Sequence, residues 1–250
     1  LSEISGGNDT YRTAGQRDAV RTICGARPGS TNVVVLPTGS GKTTAFIGPA
    51  FLARPKLSVL IVPTVSLARD LERRFQKDFN IGEKVAYHGG LTNMEKDTFR
   101  ERLRSGDQWV VVTSPEAACT ALSSDLEKIA REGKLRYFGI DEAHMVASWG
   151  GAFRPEFQAL AGLRRRLADA SRSAGEEITT VLLTGTLDEH GLETLETLFS
   201  DNQINLVVAQ ATRPEPAYWV ATCDDDEEKR LTVIDALCHL PRPLIIYTSL

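Results

Sequence analysis

The sequence predicts an α/β protein built on a mostly parallel sheet that is flanked by helices. Three observations carry this prediction. Short apolar, β-branched runs recur along the chain and alternate with segments of helical length. Most of these runs are apolar throughout, which is typical of parallel strands buried on both faces. The connections between the segments are short, which favours strand–helix–strand units over separate β and α regions.

The elements follow one another regularly from residue 32 to residue 208. Val, Ile, Leu and aromatic residues dominate the strand segments, predicted at 32–36, 58–62, 84–87, 109–113, 137–141, 179–184 and 205–208. Helices are predicted between them at 42–52, 66–79, 94–104, 155–173 and 187–199.

The pattern changes after residue 208. Two prolines within 211–216 predict a linker, and a strand at 217–222, a helix at 224–240 and a strand at 243–248 follow it. The acidic residues that open this helix suit the positive end of its dipole, although an acidic binding tail is the alternative. One strand–helix–strand unit is too small to bury a core alone.

Chain length predicts an incomplete second domain. At about 150 residues per domain, 250 residues correspond to more than one domain and fewer than two. The chain also starts without Met. We therefore expect a fragment of a longer protein, with one domain over 1–211 and the truncated start of a second over 212–250.

Composition excludes several classes of protein. The 42% of hydrophobic residues is more than a disordered chain carries, and 20 glycines with 11 prolines are too few for a collagen-like repeat. No apolar run approaches the roughly 18 residues of a membrane span, and the first residues do not resemble a signal peptide. We expect a cytoplasmic protein without membrane contact, nucleoid-associated if the source is bacterial.

Charge and cysteine content argue for no particular ligand. The net charge of −4 gives no overall basic field for nucleic acid, although a basic groove can lie on an acidic protein. The four cysteines are scattered without a Cys-x-x-Cys pair, which indicates reduced and mostly buried thiols.

A glycine loop follows the first strand, where a phosphate site needs it. Its glycines would let backbone N–H groups face phosphate oxygens at the positive end of a helix. Lys42 is the candidate for contact with the β- and γ-phosphates, and the Thr43 hydroxyl is the candidate ligand for Mg²⁺. A turn without a ligand would leave this Lys-Thr pair unexplained. The predicted ATP-binding residues of the loop are Thr38, Gly39, Ser40, Gly41, Lys42, Thr43 and Thr44.

An acidic pair ends the strand predicted at 137–141. Asp141 and Glu142 would lie at the carboxyl end of a parallel strand, where open α/β sheets bind ligands. Asp141 is the candidate to hold Mg²⁺, directly or through water, and Glu142 is the candidate to polarise the attacking water. Adjacent acids also occur as turns or helix caps, but the phosphate loop in the same sheet favours catalysis.

These two motifs resemble motifs I and II of superfamily 2 helicases, and 141–144 reads as a DEAH-type motif II. The resemblance adds His144 to the implied catalytic residues. It implies that Gln16, in a segment similar to the adenine-recognition motif, reads the adenine edge. Motifs Ia and Ib imply that single-stranded nucleic acid is contacted by Thr64, Ser66, Thr113 and Ser114. Motif III implies coupling by Thr184, Gly185 and Thr186.

Residues 148–157 resemble the aromatic-rich loop of RecQ-type DNA helicases, which narrows the branch. Trp149 and Phe153 offer flat faces for stacking on unpaired bases, and Arg154 can add a phosphate or cation–π contact. Burial of both aromatic side chains in an ordinary core is the alternative. Residues 213–218 are also similar to the RecQ interdomain sequence.

The sequence departs from the family pattern at several positions. Leu36 replaces the first Gly of the general phosphate-loop pattern, and Gly185 replaces the usual Ala of motif III. Gly151 and Ala152 stand where the family has His and Asp, so the link between the aromatic loop and the ATP site is in doubt. Residues 13–14 alter the adenine motif before Gln16. No departure removes a group that binds phosphate or metal.

The resemblance implies an ATP-dependent DNA helicase or translocase with a RecA-like fold that uses ATP and Mg²⁺ on single-stranded or forked DNA. Its other implied partners are the second RecA-like domain of the same polypeptide and a multi-protein assembly. An RNA helicase and a nucleotide-gated binding module without unwinding activity stay open as alternatives. We expect the fragment alone to be weakly active or inactive, because family enzymes complete the ATP site from the second domain.

Two smaller features are predicted to have no special role. His88 lies in a His-Gly-Gly sequence where RecQ proteins have a similar histidine-containing turn, but we interpret it as a plain turn. The arginine run at 164–166 is interpreted as a solvated helix face rather than a phosphate contact.

Overall fold

The strands and helices are those of a computed structural model that describes residues 10–79, 81–147, 155–200, 204–209 and 220–245. The strands are β1 (Thr31–Val35), β2 (Leu57–Ile61), β3 (Ala86–Tyr87), β4 (Val110–Thr113), β5 (Leu135–Ile140), β6 (Thr179–Thr184) and β7 (Ile204–Val208). They form one sheet in the order β3-β4-β2-β5-β6-β1-β7, and each paired neighbour is parallel.

Helices cover both faces of this sheet. The helices of the first 200 residues are α1 (Ala14–Gly25), α2 (Lys42–Leu52), α3 (Val65–Asp78), α4 (Asn93–Ser105), α5 (Pro115–Cys119), α6 (Ser123–Arg131), α7 (His144–Ala147), α8 (Pro155–Arg172) and α9 (Glu189–Phe199). One core cluster holds residues of α1, α2 and α3, and a second holds residues of α4, α5, α6, α8 and α9. Strand residues alternate between the two clusters, as Val33 and Val34 do.

The predicted α/β architecture with a parallel sheet is confirmed for these residues. All seven predicted strands form, and the ends of the strands and helices lie within two residues of the expected positions. Helices α1, α5, α6 and α7 were not predicted. The pair α5 and α6 is hard to read in the sequence, because the short α5 ends at Cys119 and a turn interrupts the helical spacing before Ser123.

The chain divides into two compact units, Leu1–Ala211 and Thr212–Leu250. In the second unit the predicted helix is present as α10 (Asp226–His239), and the Asp225 side chain caps it by accepting a hydrogen bond from Glu228 N. Residues 220–222 and 243–245 are not in strands, contrary to the prediction. A parallel strand needs a hydrogen-bonded neighbour, and one helix offers none. The assignment of this unit to a second RecA-like domain stays a prediction.

No helix in the described ranges is both long and apolar enough to cross a membrane.

Candidate nucleotide and nucleic-acid site

The phosphate loop connects the end of β1 to the first residue of α2, Lys42. Its glycines adopt left-handed backbone angles, with φ of 85° at Gly39 and 92° at Gly41, which other residues rarely adopt. Pro37 O accepts hydrogen bonds from Ser40 N at 3.1 Å and from Ser40 Oγ at 2.6 Å. The loop is therefore a closed turn that leads directly into the positive end of α2.

Gln16 lies against this loop although it is far away in sequence. Its side chain is 2% exposed, accepts a hydrogen bond from Arg12 N at 2.7 Å and donates one to Gly41 O at 3.3 Å. A Cβ at Gly41 would lie only 2.1 Å from Gln16 Nε2. Glycine at this position is thus required both by the backbone angle and by the approach of the glutamine.

The acidic pair lies at the end of β5, between the neighbouring strands. Asp141 N donates to Ile61 O of β2 at 2.8 Å. Glu142 N donates to Asp141 Oδ1 at 2.9 Å, and Glu142 has a φ of 52°. A left-handed glutamate costs of order 1 kcal/mol and persists only where the surroundings fix it. The strained backbone turns this carboxylate towards the phosphate loop.

Glu142 lies between two cationic or polar partners. Its Oε1 is 3.5 Å from Lys42 Nζ, and its Oε2 is 3.3 Å from His144 Nδ1. The lysine side chain is 11% exposed, so this pair is only weakly screened by solvent. The phosphate-loop lysine and the motif II glutamate are therefore in contact.

A hydrogen-bonded chain extends from His144 to the predicted coupling residues. Thr184 is fully buried, and its hydroxyl donates to Thr186 O at 2.8 Å. Since that hydroxyl has one proton, the contact of 3.0 Å between His144 Nδ1 and Thr184 Oγ1 requires the proton to be on Nδ1. Gly185 lies beside the loop, because a Cβ there would be 3.3 Å from Lys42 Nζ.

The oxygen donors that could hold a divalent cation are the Asp141 carboxylate and the hydroxyl of Thr43, a residue that is 6% exposed. Burial and, next, the charge of Glu142 raise the pKa of Asp141 above its ordinary value of 3.8. A cation bound beside the carboxylate would act in the opposite direction and favour its charged form. The described ranges contain no group of three or more His, Cys, Asp and Glu side chains arranged to hold a metal. Two hard oxygen donors are of the kind that could hold Mg²⁺.

Three of the residues predicted to contact nucleic acid lie at the carboxyl ends of the β-strands β2 and β4. The Thr64 hydroxyl caps α3 by accepting from Leu67 N at 3.2 Å, and Ser66 is exposed in the first turn of that helix. Ser114 is half-buried and caps α5. These side chains face the edge of the sheet where open α/β proteins bind ligands.

Thr113 differs from the prediction. Its side chain is fully buried, and its hydroxyl donates to Tyr87 O of the neighbouring strand β3 at 2.8 Å. The side chain therefore joins two strands and is not available to a bound nucleic acid, which corrects this part of the prediction.

The predicted aromatic loop lies outside the described residues. Trp149, Phe153 and Arg154 all belong to the segment 148–154. Their contact with bases or phosphates stays a prediction.

Arg69 and His88 form a pair at the same edge that was not predicted. Arg69 Nε donates to His88 Nε2 at 3.3 Å. The signal in the sequence was a basic residue in motif Ia and a histidine at the end of the next strand along the chain, but their contact depends on the packing of α3 against β3.

Known proteins of similar sequence identify the family. Residues 13–195 match the model of the family described as DEAD/DEAH box helicase. The chain belongs to this family.

The similar proteins include several RecQ-type helicases, which confirms that resemblance. "ATP-dependent DNA helicase Q5" of Rattus norvegicus is 30% identical over 173 residues, 66% of this chain and 17% of that protein. "Probable ATP-dependent DNA helicase RecS" of Bacillus subtilis strain 168 is 27% identical over 235 residues, 93% of this chain and 43% of that protein. The chain thus spans less than half of either relative.

Solved structures confirm the RecA-like fold of this helicase domain. Mycobacterium smegmatis helicase Lhr bound to ssDNA and AMP-PNP has a TM-score of 0.60 and 21% identity, over 90% of this chain and 30% of that one. Mss116p bound to ssRNA and AMP-PNP has a TM-score of 0.58 and 22% identity, over 78% of this chain and 39% of that one. At these identities the likeness concerns the fold alone.

Proposed function

We propose that this chain supplies the ATP-binding half of an ATP-dependent DNA helicase or translocase similar to RecQ. The observation that carries the proposal is the contact of three motifs at one end of the sheet. The motifs follow the ends of three strands: Lys42 comes after β1, Glu142 after β5, and Thr184 ends β6. Lys42 contacts Glu142, and His144 contacts both Glu142 and Thr184. The cluster joins a phosphate-binding group, a base and a coupling residue.

The first step is an exchange of partners by Lys42. Its ammonium contacts Glu142, and a triphosphate would offer it a more highly charged partner. Transfer of the lysine to the phosphates leaves the Glu142 carboxylate free to accept a proton from the attacking water. Thr43 and Asp141 would hold Mg²⁺, which neutralises phosphate charge when it is bound.

The second step is the transmission of this change to the nucleic-acid interface. When the Glu142 carboxylate no longer contacts Lys42, it keeps its contact with the His144 ring, and that ring is hydrogen-bonded to Thr184. Movement of the histidine would therefore displace the hydroxyl that fixes Thr186 O. Motif III is thus a suitable coupling element between hydrolysis and strand binding.

Single-stranded DNA is the proposed substrate, and Trp149 and Phe153 would stack on its bases. The relatives at 30% identity are named DNA helicases, whereas the structural neighbours include proteins bound to DNA and to ssRNA. We propose further that the second RecA-like domain of the same polypeptide completes the ATP site. We also propose that the protein is cytoplasmic and that it can act within a multi-protein assembly. Competition between single-stranded DNA and RNA tests the substrate, and clear preference for RNA would favour the alternative.

Two substitutions in the complete polypeptide test the proposed mechanism. Lys42→Ala should weaken nucleotide binding and abolish DNA-stimulated turnover. Glu142→Gln should retain binding and lower turnover at least 100-fold, the usual scale for loss of a general base. Arg27→Gln, at the opposite end of β1, is the control for loss of a surface charge and should change neither quantity. Normal turnover in both site variants would overturn the proposal.

A further inference from the structure

An apolar cavity lies beside α4, near the edge strand β3. Its volume is about 280 Å³, and the apolar part of its lining consists of Leu91, Met94 and Phe99. Phe99 is 3% exposed and Leu91 is half-buried, so these two side chains form the floor. Met94 is 72% exposed and therefore lies at the rim. An exposed methionine next to an apolar cavity is typical of surfaces that bind other proteins.

The cavity is not part of the packing between α4 and α6. Arg100 and Arg104 lie in one row along α4, and both pair with Asp125 of α6. Met94 and Arg102 lie in another row of the same helix, and both line the cavity. The side of α4 that faces the cavity is thus distinct from the side that holds α6.

One positive charge at the cavity is available to a ligand. Arg102 is half-buried, and its guanidinium has no hydrogen bond or ion pair within the ranges that the structure describes. The other cation of the lining, Lys84, pairs with Glu95. Hydrogen bonds from Lys84 and, next, from Thr92 N lower the pKa of Glu95 to about 2, so this carboxylate is charged at neutral pH and holds the lysine.

The main chain of β3 offers little to a partner. This strand ends the sheet order, and an edge strand can in general pair with a strand of another protein. Here Val85 N and Ala86 N donate to Glu72 Oε2 at 3.0 and 2.7 Å. These donors are therefore not free to pair with an added strand, and recognition at this edge depends on side chains.

Size and charge together select the chemistry of the occupant. The cavity lies just below the range that starts at about 300 Å³ for small-molecule sites, which suits one large apolar side chain. The buried Phe99 ring has no free face on which a base could stack, and a single guanidinium is little for a phosphate backbone. A carboxylate next to an apolar side chain satisfies both Arg102 and the apolar floor.

We propose that this cavity docks a segment of a partner protein in which a large apolar side chain is flanked by acidic residues. The apolar side chain would enter between Met94 and Phe99, and a neighbouring carboxylate would pair with Arg102. The flexible Met94 side chain can adapt to apolar groups of different shape. The inference goes beyond the proposed function, because it does not involve the ATP site.

The methyl group of Met94 is a direct reporter of occupancy. The chain has two methionines, and the other, Met145, lies in α7, so labelling of methionine methyl groups with ¹³C gives two NMR signals. A peptide with one phenylalanine between aspartates should shift the Met94 signal and leave the Met145 signal in place. Absence of a Met94 shift at peptide concentrations up to about 1 mM would overturn the proposal.

Matched peptides and charge variants test the two parts of the site. Replacing the phenylalanine by alanine, or the aspartates by asparagines, should each lower affinity about tenfold. Arg102→Gln should lower affinity for the aspartate peptide about tenfold and leave affinity for the asparagine peptide unchanged, because both changes remove the same interaction. Arg165→Gln removes an exposed charge of α8 and is the control. The proposal fails if the two variants bind the aspartate peptide equally, or if the alanine peptide binds as tightly as the phenylalanine peptide.

Two further titrations separate this site from the ATP and nucleic-acid sites. A single-stranded oligonucleotide should leave the Met94 signal in place, and a shift larger than that caused by the peptide would assign the cavity to nucleic acid and overturn the proposal. Lys42→Ala should bind the peptide as the wild type does. Failure of the proposed function would thus leave peptide binding intact, whereas loss of peptide binding in Lys42→Ala would contradict an independent site.

Discussion

At the residue scale, the two oxygens of one carboxylate link the phosphate loop to motif III. The Glu142 carboxylate has two oxygens with different partners, Lys42 on one and His144 on the other. Departure of the lysine therefore changes the electrostatic field at the histidine without any movement of the main chain. The left-handed backbone of Glu142 holds the carboxylate where both contacts exist at once.

Substitution of Thr184 tests the link from histidine to motif III. Thr184→Val removes a buried hydroxyl that contacts His144 and donates to Thr186 O. We expect a loss of about 1 kcal/mol of stability and a turnover on the order of tenfold lower, with nucleotide affinity retained.

Thr184→Ser keeps the hydroxyl and is the matched control in assays of unfolding, nucleotide binding and turnover. If the valine and serine variants turn over ATP equally well, the hydroxyl does not carry the coupling.

Sequence motifs identify candidate site residues, but they do not show which contacts the side chains of those residues make. The motifs marked Lys42 and Glu142 as separate candidates for phosphate and water, but their contact at 3.5 Å was not predicted. In the arginine run predicted to be a solvated face, Arg165 and Arg166 are exposed as expected, but Arg164 is 1% exposed and donates to Thr180 Oγ1 at 3.0 Å. That error has a physical cause, because burial of Arg164 depends on a hydroxyl of β6 distant in sequence. Thr113 was misjudged for the same reason.

At the scale of elements, side chains rather than main-chain bonds join the helices to one another. Asp125 of α6 is 5% exposed and accepts from Arg100 Nε at 2.7 Å and Arg104 Nε at 2.8 Å, both on α4. Burial raises the pKa of Asp125, but these hydrogen bonds outweigh it and lower the pKa below 3.8. The pair of arginines thus fixes α4 against α6.

Asp125→Asn tests this connection. The variant keeps the shape and loses the charge, so we expect a decrease of about 2 kcal/mol in the free energy of unfolding at neutral pH, measured in urea. Because the folded-state pKa is lowered, the charge stabilises the wild type above pH 3.8. The difference should therefore disappear as the pH falls through the lower, folded-state pKa.

The exposed Asp78→Asn is the control for loss of a surface carboxylate in the same assay. A difference for Asp125→Asn that is independent of pH would contradict the assignment to charge.

The whole first unit is expected to fold without the second. Both core clusters consist of residues within the first unit, so removal of 212–250 takes no side chain from either. A chain of residues 10–211 should unfold in one transition with an unchanged Tm and should bind nucleotide as the 250-residue chain does.

A chain ending at residue 200 is the contrasting variant, because it lacks β7 and leaves one edge of β1 unpaired. Loss of folding in the longer variant, or normal folding in the shorter one, would contradict this division.

The sheet order has a consequence for the biosynthesis of the protein. Strands β2 to β5 pair with one another, but β1, which carries the phosphate loop, pairs only with β6 and β7 among the described strands. β1 is synthesised before the other strands of this sheet, so it must wait for β6 and β7 before it gains a neighbour. Such non-local pairing slows folding and leaves apolar strand edges open to aggregation. The nascent chain thus has its phosphate-binding sequence early and its nucleotide site only near the end of the unit, so that period is when chaperones would have most to protect.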